Sequence, residues 1–213
     1  MTPRSHPQAE RLHGLYVILD PGVAGERDLI YMAREAIAGG AHLIQYRDKI
    51  REKGEQYAIA GALQALCREN GALFFMNDHV DIALAIEADG VHVGQRDLPV
   101  AVVRRIVPEA MLVGASTNNL EEARLAQADG ADYVSVGRLF PTGSKEDTRS
   151  ATLEMLHAVK AAIAVPVCGI GGINESNIAG VIDTGADMAA VISAVVGAED
   201  VREATRRLAG RFS

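Results

Sequence analysis

The chain of 213 residues suits one α/β domain, and its hydrophobic fraction of 48% can bury a sizeable core, which excludes intrinsic disorder. Aromatic residues contribute only 4%, so small apolar residues dominate and favour helices packed closely on a sheet over a β-sandwich. The net charge of −7 argues against nucleic acid as a main partner, because a phosphate backbone requires a basic face. Small phosphorylated substrates need only a local basic cluster, so they are not excluded.

The start of the chain, residues 1–13, is polar and lacks an apolar run. We expect a flexible tail there, without a secretion signal, and a single domain over residues 14–213. No stretch approaches the roughly 18 consecutive apolar residues of a membrane span, so we expect no membrane partner. Cys67 and Cys168 lack Cys-x-x-Cys spacing, which indicates reduced thiols and a cytoplasmic protein. The oligomeric state stays open, with a homo-oligomer as one alternative.

Eight short apolar runs follow along the chain, and each is closed by polar or glycine residues, which is typical of strands. The predicted strands are Leu15–Asp20, His42–Asp48, Leu73–Asp78, Gly90–Gly94, Leu112–Ser116, Tyr133–Gly137, Pro166–Gly171 and Met188–Ala194. Alanine-rich amphipathic stretches between them predict helices, among them Asp28–Ala38, Leu120–Ala128 and Asp200–Ala209. This alternation predicts an α/β fold, a single (β/α)8 TIM barrel, and a doubly wound sheet is the alternative.

A short repeat supports the alternation of helices and strands. It consists of a glycine, a small or apolar residue and then the start of a predicted strand, and it occurs at Gly40–Leu43, Gly90–Val93, Gly130–Tyr133 and Gly185–Met188. Glycine at the end of a helix supplies the left-handed backbone that stops it.

Polar residues collect at the C-terminal ends of the predicted strands, where a barrel of this kind carries its active site. They are Gln45, Arg47 and Lys49, then Asn77, Asp78, Gln95, Asp97 and Ser116, then Thr142–Lys145, Gly171, Gly172 and Ser193. The opposite strand ends are mostly glycine and alanine. This one-sided distribution predicts a catalytic rim.

In the segment Gln45–Lys49, the alternate residues Gln45, Arg47 and Lys49 share one face if the strand persists. Two cations and an amide aimed together form a grip for a polyanion. The alternative is a surface ion pair of Arg47 or Lys49 with Asp48 or Glu52.

Asp78 and Asp97 follow neighbouring strands, and two such carboxylates suit Mg²⁺ backed by substrate phosphates. Each aspartate also precedes a predicted helix, so helix capping is the alternative. The loop after the sixth strand, Phe140–Lys145, is interpreted as a lid or a binding loop, with a solvated turn as the alternative. Gly171, Gly172 and Ser193 predict a phosphate site after the last two strands.

Taken together and in this order, the motifs resemble the thiamine phosphate synthase family. They are Gln45-Tyr46-Arg47-Asp48-Lys49, Asn77-Asp78, Asp89 to Asp97, Gly114-Ala115-Ser116, Phe140 to Lys145, Gly171-Gly172-Ile173 and Val191 to Ala194. The resemblance implies that a hydroxymethylpyrimidine diphosphate loses pyrophosphate and is joined to a thiazole phosphate. Two departures are Ser144, where many members have threonine, and Arg138-Leu139, where a proline-containing turn is common.

The resemblance also implies the roles of individual residues. One Mg²⁺ ion per active site is held by Asp78 and Asp97. Arg47, Lys49, Lys145 and Ser116 are the implied catalytic residues. The pyrimidine diphosphate is bound by Gln45, Tyr46, Arg47, Asp48, Lys49, Asn77, Ser116 and Lys145. The thiazole phosphate is bound by Thr142, Gly143, Ser144, Gly172, Ile192 and Ser193.

Three other functions compete with this one. A thiazole tautomerase with the same barrel has no need for the metal aspartates and the cationic grip. A non-catalytic phosphate-binding barrel explains the glycines and Ser193 but leaves Asp78 and Asp97 without a role. A metal-dependent sugar-phosphate epimerase needs paired histidine and aspartate ligands on several strand ends, a pattern that the sequence lacks. His42, His92 and Cys168 are interpreted as core or strand-edge residues.

Overall fold

The computed structural model describes residue 6, residues 8–141 and residues 149–212. Eight parallel strands close into a barrel in which each strand pairs with the next in sequence and the last pairs with the first. They are β1 (Gly14–Leu19), β2 (Leu43–Tyr46), β3 (Leu73–Asn77), β4 (Gly90–Val93), β5 (Leu112–Thr117), β6 (Tyr133–Val136), β7 (Val167–Ile170) and β8 (Met188–Val191). The predicted (β/α)8 barrel is confirmed, and the doubly wound sheet is excluded because such a sheet has two open edges.

Helices connect the strands on the outside of the barrel. They are α1 (Pro21–Ala24), α2 (Leu29–Ala38), α3 (Lys53–Glu69), α4 (Val80–Ala85), α5 (Val100–Ile106), α6 (Leu120–Ala128), α7 (Leu153–Ala162), α8 (Ile178–Asp183), α9 (Ser193–Val196) and α10 (Val201–Ala209). No helix in the described ranges is long and apolar enough to cross a bilayer.

Several of these helices begin where a polar side chain accepts the first free backbone N–H groups. The carboxylate of Asp28 accepts from Ile30 and Tyr31, and Asp200 accepts from Glu203. These two aspartates are the first residues of two predicted helices, so each prediction is one residue longer than the helix itself.

The core has two layers because successive side chains of a strand point to opposite faces. Outward residues pack against the helices in a large apolar cluster. Inward residues fill the barrel, among them Tyr16, Phe75, Tyr133 and Cys168. The rings fit because a glycine faces them: a Cβ on Gly114 would lie 2.2 Å from Tyr133 Cζ.

The structure differs from the predicted organisation at two places. The predicted tail, residues 1–13, extends too far into the chain. Residues 9–11 form a 3-10 helix, and Leu12 is buried in the barrel interior. The repeat glycines Gly40, Gly130 and Gly185 have positive φ as expected, but Gly90 lies within β4, and the left-handed residue before that strand is Glu87 (φ 52°). Gly90 is needed for space instead, because a Cβ there would lie 2.2 Å from the Phe75 ring.

Candidate active site

A cavity of about 390 Å³ opens at the C-terminal end of the barrel. Loops that follow the later strands line it, and the lining includes Gln95, Asp97, Ser116, Gly171, Gly172, Ile192 and Ser193. Several strand-end residues singled out from the sequence therefore meet around one cavity, on the face where barrels of this kind carry their active sites.

The two cations after β2 each pair with an aspartate from a neighbouring strand end. Strand β2 ends at Tyr46, so the alternation of faces along a strand does not extend to Lys49. The guanidinium of Arg47 binds the carboxylate of Asp20, which follows β1 and caps α1. Lys49 Nζ donates to Asp78 Oδ2 at 2.5 Å. The alternative ion pairs with Asp48 or Glu52 are not the ones that the structure contains.

Tyr46 and Asp48 bond to each other and not to these two cations. Tyr46 faces the helices, and its hydroxyl donates to Asp48 Oδ2 at 2.6 Å. Asp48 also accepts from the backbone N–H groups of Ile50 and Arg51 and from the Arg51 side chain. Burial alone would raise the pKa of Asp48, but these hydrogen bonds lower it to about 2. Tyr46 thus ends β2 and Asp48 lies in the turn after it, and the two side chains bond to each other. Their predicted contact with the pyrimidine diphosphate stays a prediction.

Asp78 and Asp97 follow β3 and β4, and their carboxyl groups are close enough to share a hydrogen bond. Asp97 Oδ2 also accepts the backbone N–H of Gly94 at 2.9 Å. Helices α4 and α5 have His79 and Pro99 at their N-caps, and neither makes a side-chain capping hydrogen bond. The capping alternative is therefore wrong for both aspartates.

The electrostatics of this pair fit a bound cation. Burial would raise the pKa of Asp78, but hydrogen bonds from Lys49 and Asp97 lower it below its ordinary value. Burial and the hydrogen bond with Asp78 raise the pKa of Asp97. Adjacent carboxylates require a proton or a cation between them. Mg²⁺ suits two carboxylates because it takes its remaining ligands from water and substrate phosphates. The described residues hold no group of three or more His, Cys, Asp or Glu placed to bind a metal, so such a site would depend on the substrate.

A hydrogen-bonded network, here called the interior network, crosses the barrel and comprises Gln45, Tyr16, Tyr133, His92 and Ser116. Gln45 Nε2 donates to Tyr16 Oη at 2.6 Å, and the hydroxyls of Tyr16 and Tyr133 are 3.0 Å apart. His92 Nδ1 lies 2.8 Å from Tyr133 Oη, and His92 Nε2 lies 2.9 Å from Ser116 Oγ. His92 is a buried core residue as the sequence indicated, and through Tyr133 and Tyr16 it also links the predicted residues Ser116 and Gln45.

Two further residues considered from the sequence, Asn77 and Cys168, are buried. Asn77 ends β3 and is buried, directly before Asp78. Cys168 is fully buried inside the barrel, and burial raises the pKa of its thiol to about 12. A thiol with so high a pKa is a poor nucleophile at neutral pH, in agreement with its interpretation as a packing residue.

The predicted phosphate-binding residues Gly172, Ile192 and Ser193 all line the cavity. Gly172 has φ +66°, and a Cβ there would lie 2.6 Å from the carbonyl oxygen of Pro141, so only glycine allows this approach. Strand β8 ends at Val191, and Ser193 is the first residue of α9 and does not lie in the strand as predicted. Loops after the last two strands and a short extra helix are a frequent phosphate site in these barrels.

The remaining predicted site residues belong to the loop after β6. Thr142, Gly143, Ser144 and Lys145 lie outside the described residues, and so does the hypothesis that this loop closes over the site. Pro141 and Arg149 are the described residues on either side of it.

Comparison with known proteins identifies the family. A family model described as thiamine monophosphate synthase matches residues 15–195. The thiamine-phosphate synthase of Moorella thermoacetica is 49% identical over 91% of this chain and 93% of its own length. A solved structure of thiamine phosphate pyrophosphorylase from Pyrococcus furiosus is 44% identical, with a TM-score of 0.87 over 95% of this chain and 96% of that one. The chain belongs to the thiamine monophosphate synthase family.

Membership in the thiamine monophosphate synthase family makes this chain a transferase of thiamine biosynthesis. The resemblance read from the motifs is thereby confirmed. More distant barrels share the fold alone: 3-hexulose-6-phosphate synthase is 18% identical, with a TM-score of 0.66.

Sequence reasoning missed four residues that shape this site. They are Asp20, which holds Arg47, and the three linking members of the interior network, Tyr16, Tyr133 and His92. Strand parity could have found the last three, because each stands at an inward position of a strand and carries a hydrogen-bonding group. Asp20 could have been found as a polar residue at the C-terminal end of the predicted first strand.

Proposed function

We propose that the chain joins 4-amino-2-methyl-5-(diphosphooxymethyl)pyrimidine to a thiazole phosphate, giving thiamine phosphate and pyrophosphate. The bond between the pyrimidine methylene carbon and the diphosphate oxygen breaks, and the thiazole ring nitrogen bonds to that carbon. Electron donation from the pyrimidine amino group stabilises a cation at the carbon, so pyrophosphate leaves before the nitrogen attacks. The second substrate is 4-methyl-5-(2-phosphooxyethyl)thiazole or its carboxylate form.

The observation that carries this proposal is that Arg47, Lys49, Asp78 and Asp97 follow three neighbouring strands at the same end of the barrel, where Lys49 pairs with Asp78 and Asp78 with Asp97. A diphosphate that departs gains negative charge as its bond breaks, and preorganised positive charge stabilises that change. Arg47 and Lys49 supply such charge, and Asp20 orients the Arg47 guanidinium. A thiazole tautomerase would require neither the two cations nor the two carboxylates.

Asp78 and Asp97 would hold one Mg²⁺ ion per active site. The two aspartates would thereby supply Lewis-acid stabilisation of the negative charge on the diphosphate. Lys49 already neutralises part of the charge of this pair through its hydrogen bond to Asp78. Through these two aspartates, the Lys49 cation and the metal ion would both lie near the same leaving group.

The other predicted residues divide between the two substrates. Gln45, Asn77 and Ser116 contact the pyrimidine diphosphate, and Gly172, Ile192 and Ser193 contact the thiazole phosphate. The positions of Ser116, Gly172 and Ser193 on a shared cavity support this division. Lys145 keeps its proposed role toward the diphosphate, and Thr142–Ser144 keep theirs toward the thiazole phosphate.

The test is an assay of the full chain with each substrate alone and with both, with and without Mg²⁺. We expect pyrophosphate and thiamine phosphate in equal amounts, only when both substrates and Mg²⁺ are present. Isomerisation of a carboxylated thiazole phosphate without the pyrimidine would identify a tautomerase. Binding of either phosphate without turnover would identify a non-catalytic barrel, and either result would contradict the proposal.

We also propose that the protein works in the cytoplasm. Cys67 and Cys168 are both free and buried, as is usual in a reducing compartment. Detection of the chain in the cytoplasmic fraction of its source cells checks this, and recovery from another compartment would contradict it.

A further inference from the structure

The interior network has a direction that follows from the placement of the Gln45 amide. Gln45 Nε2 can only donate, so Tyr16 Oη accepts from it. Among the described residues, the Tyr16 hydroxyl has one other partner, the hydroxyl of Tyr133. Because a buried O–H needs an acceptor, the hydrogen of Tyr16 goes to Tyr133.

The same reasoning fixes the next two links. Tyr133 Oη accepts from Tyr16, so its own hydrogen goes to His92 Nδ1. His92 then carries its proton on Nε2 and donates to Ser116 Oγ. Burial raises the pKa of both tyrosines far above the ordinary value, so both hydroxyls stay protonated and can serve as donors.

The two ends of the network consequently present opposite groups. Gln45 uses its Nε2 on Tyr16, so its Oε1 is the group that remains to accept a hydrogen bond from a ligand. Ser116 receives a hydrogen bond from His92, which directs its own hydrogen elsewhere, and Ser116 lines the cavity. One end offers an acceptor and the other offers a donor.

We infer that Tyr16, Tyr133 and His92 are positioning residues that fix Gln45 as an acceptor and Ser116 as a donor for the aminopyrimidine diphosphate. The inference rests on the proposed function. An amino group gains positive charge as the pyrimidine cation forms, and a fixed carbonyl oxygen stabilises that charge. The departing diphosphate gains negative charge, and a fixed O–H stabilises it. Both ends therefore act more strongly on the transition state than on the bound substrate.

A merely structural network would predict a different outcome. Buried polar groups pair with each other in any protein, and the loss of one pair then lowers stability alone. The positioning role also requires a fall in kcat, because the ends of the network lose their fixed polarity. It further requires that His92 carry its proton on Nε2 before any substrate binds.

The principal variant is Tyr133→Phe, which keeps the ring beside Gly114 and removes the hydroxyl that joins Tyr16 to His92. We expect kcat to fall about 10- to 100-fold, in the range seen when a group that orients a functional residue is lost. The KM for the thiazole phosphate should stay unchanged. Tyr16→Phe frees the Gln45 amide and serves as the second variant if Tyr133→Phe does not fold. It should lower kcat similarly.

The matched control is Cys168→Ala, which removes packing from the same interior cluster but no hydrogen bond of the network. We expect a loss of stability comparable to that of Tyr133→Phe with kcat near that of the wild type. Wild-type kcat in folded Tyr133→Phe, or an equal fall in kcat in Cys168→Ala, would overturn the inference.

The position of the His92 ring proton can be measured by NMR spectroscopy in the absence of substrates. The nitrogen chemical shifts of His92 in the ¹⁵N-labelled chain should place the ring proton on Nε2. The chain has six histidines, so the signal is assigned by its loss in His92→Gln. In Tyr133→Phe the preference for Nε2 should disappear. Protonation at Nδ1 in the wild type would overturn the inference. Absence of thiamine phosphate formation by a wild type with the expected shifts would instead count against the proposed function.

Discussion

Two adjacent carboxylates repel each other unless a proton or a cation lies between them, and Asp78 and Asp97 form such a pair. Asp78 also has a left-handed backbone with φ 62°, which residues other than glycine rarely adopt. Conformations of this kind persist where the surrounding structure holds them, often at functional sites. The backbone and the charge of Asp78 thus point to the same local requirement for a ligand.

Asp97→Asn separates metal binding from turn formation. The asparagine oxygen can still accept the N–H of Gly94, so the fold should survive, but one carboxylate charge is lost. We expect turnover to collapse at limiting Mg²⁺ and to recover partly at high Mg²⁺, measured as kcat across a Mg²⁺ titration. Asp81→Asn is the control, since Asp81 is exposed and its partner is Lys53. Near-normal turnover of Asp97→Asn at limiting Mg²⁺ would refute the metal assignment.

Lys49→Ala tests the cation beside the same pair. Loss of one preorganised charge partner of a leaving group should slow the chemical step by about 10²–10³-fold. Single-turnover kinetics with saturating thiazole phosphate measure that step directly. Lys53→Ala is a close match, because Lys53 lies four residues after Lys49 and also pairs with an aspartate, but that aspartate is exposed whereas Asp78 is not. The role fails if Lys49→Ala changes only the KM for the thiazole phosphate.

At the scale of elements, the turn that ends β2 decides where the cations lie. Asp48 binds the hydroxyl of Tyr46, two backbone N–H groups and the guanidinium of Arg51, all within four residues. These bonds end the strand at Tyr46 and lead the chain into α3. Arg47 and Lys49 are therefore oriented by a turn and by the carboxylates of Asp20 and Asp78.

The stability that Asp48 contributes should depend on pH. Its pKa in the folded chain is about 2, below the ordinary value of 3.8. The contribution is therefore complete above pH 4 and is lost as the pH falls toward 2. Asp48→Asn should lower the free energy of unfolding at pH 7 by about 2 kcal/mol, as for hydrogen bonds to a charged group. Urea unfolding at pH 7 and pH 3 measures this, and a difference that does not shrink at pH 3 would contradict it.

For the molecule as a whole, apolar runs and glycine-ended helices were enough to predict all eight strands and their order. Both are local patterns, since a buried strand and a helix stop depend on residues close in sequence. Element ends were less predictable. Ser193 was assigned to a strand because Val191–Ala194 is apolar, but the backbone turns into α9 at that point.

The site was predictable only as far as it depends on strand ends. The residues that line the cavity follow from the rule that parallel strands end together. Partnerships across the barrel did not follow: Asp20 is 27 residues from Arg47, and Tyr16 is 117 residues from Tyr133. Single-sequence patterns do not report contacts at such separations, so the interior network required coordinates.

The close packing of Gly114 against Tyr133 limits which substitutions this barrel can accept. A methyl group at position 114 would occupy the space of the phenol ring, with contacts of 2.2–2.4 Å to its outer atoms. A smaller residue at position 133 would leave a hole and cut the link to His92. A change at either position alone should therefore cost packing or a hydrogen bond, and we expect the two positions to change together. The residues of the polar interior thus depend on one another, although they belong to different strands.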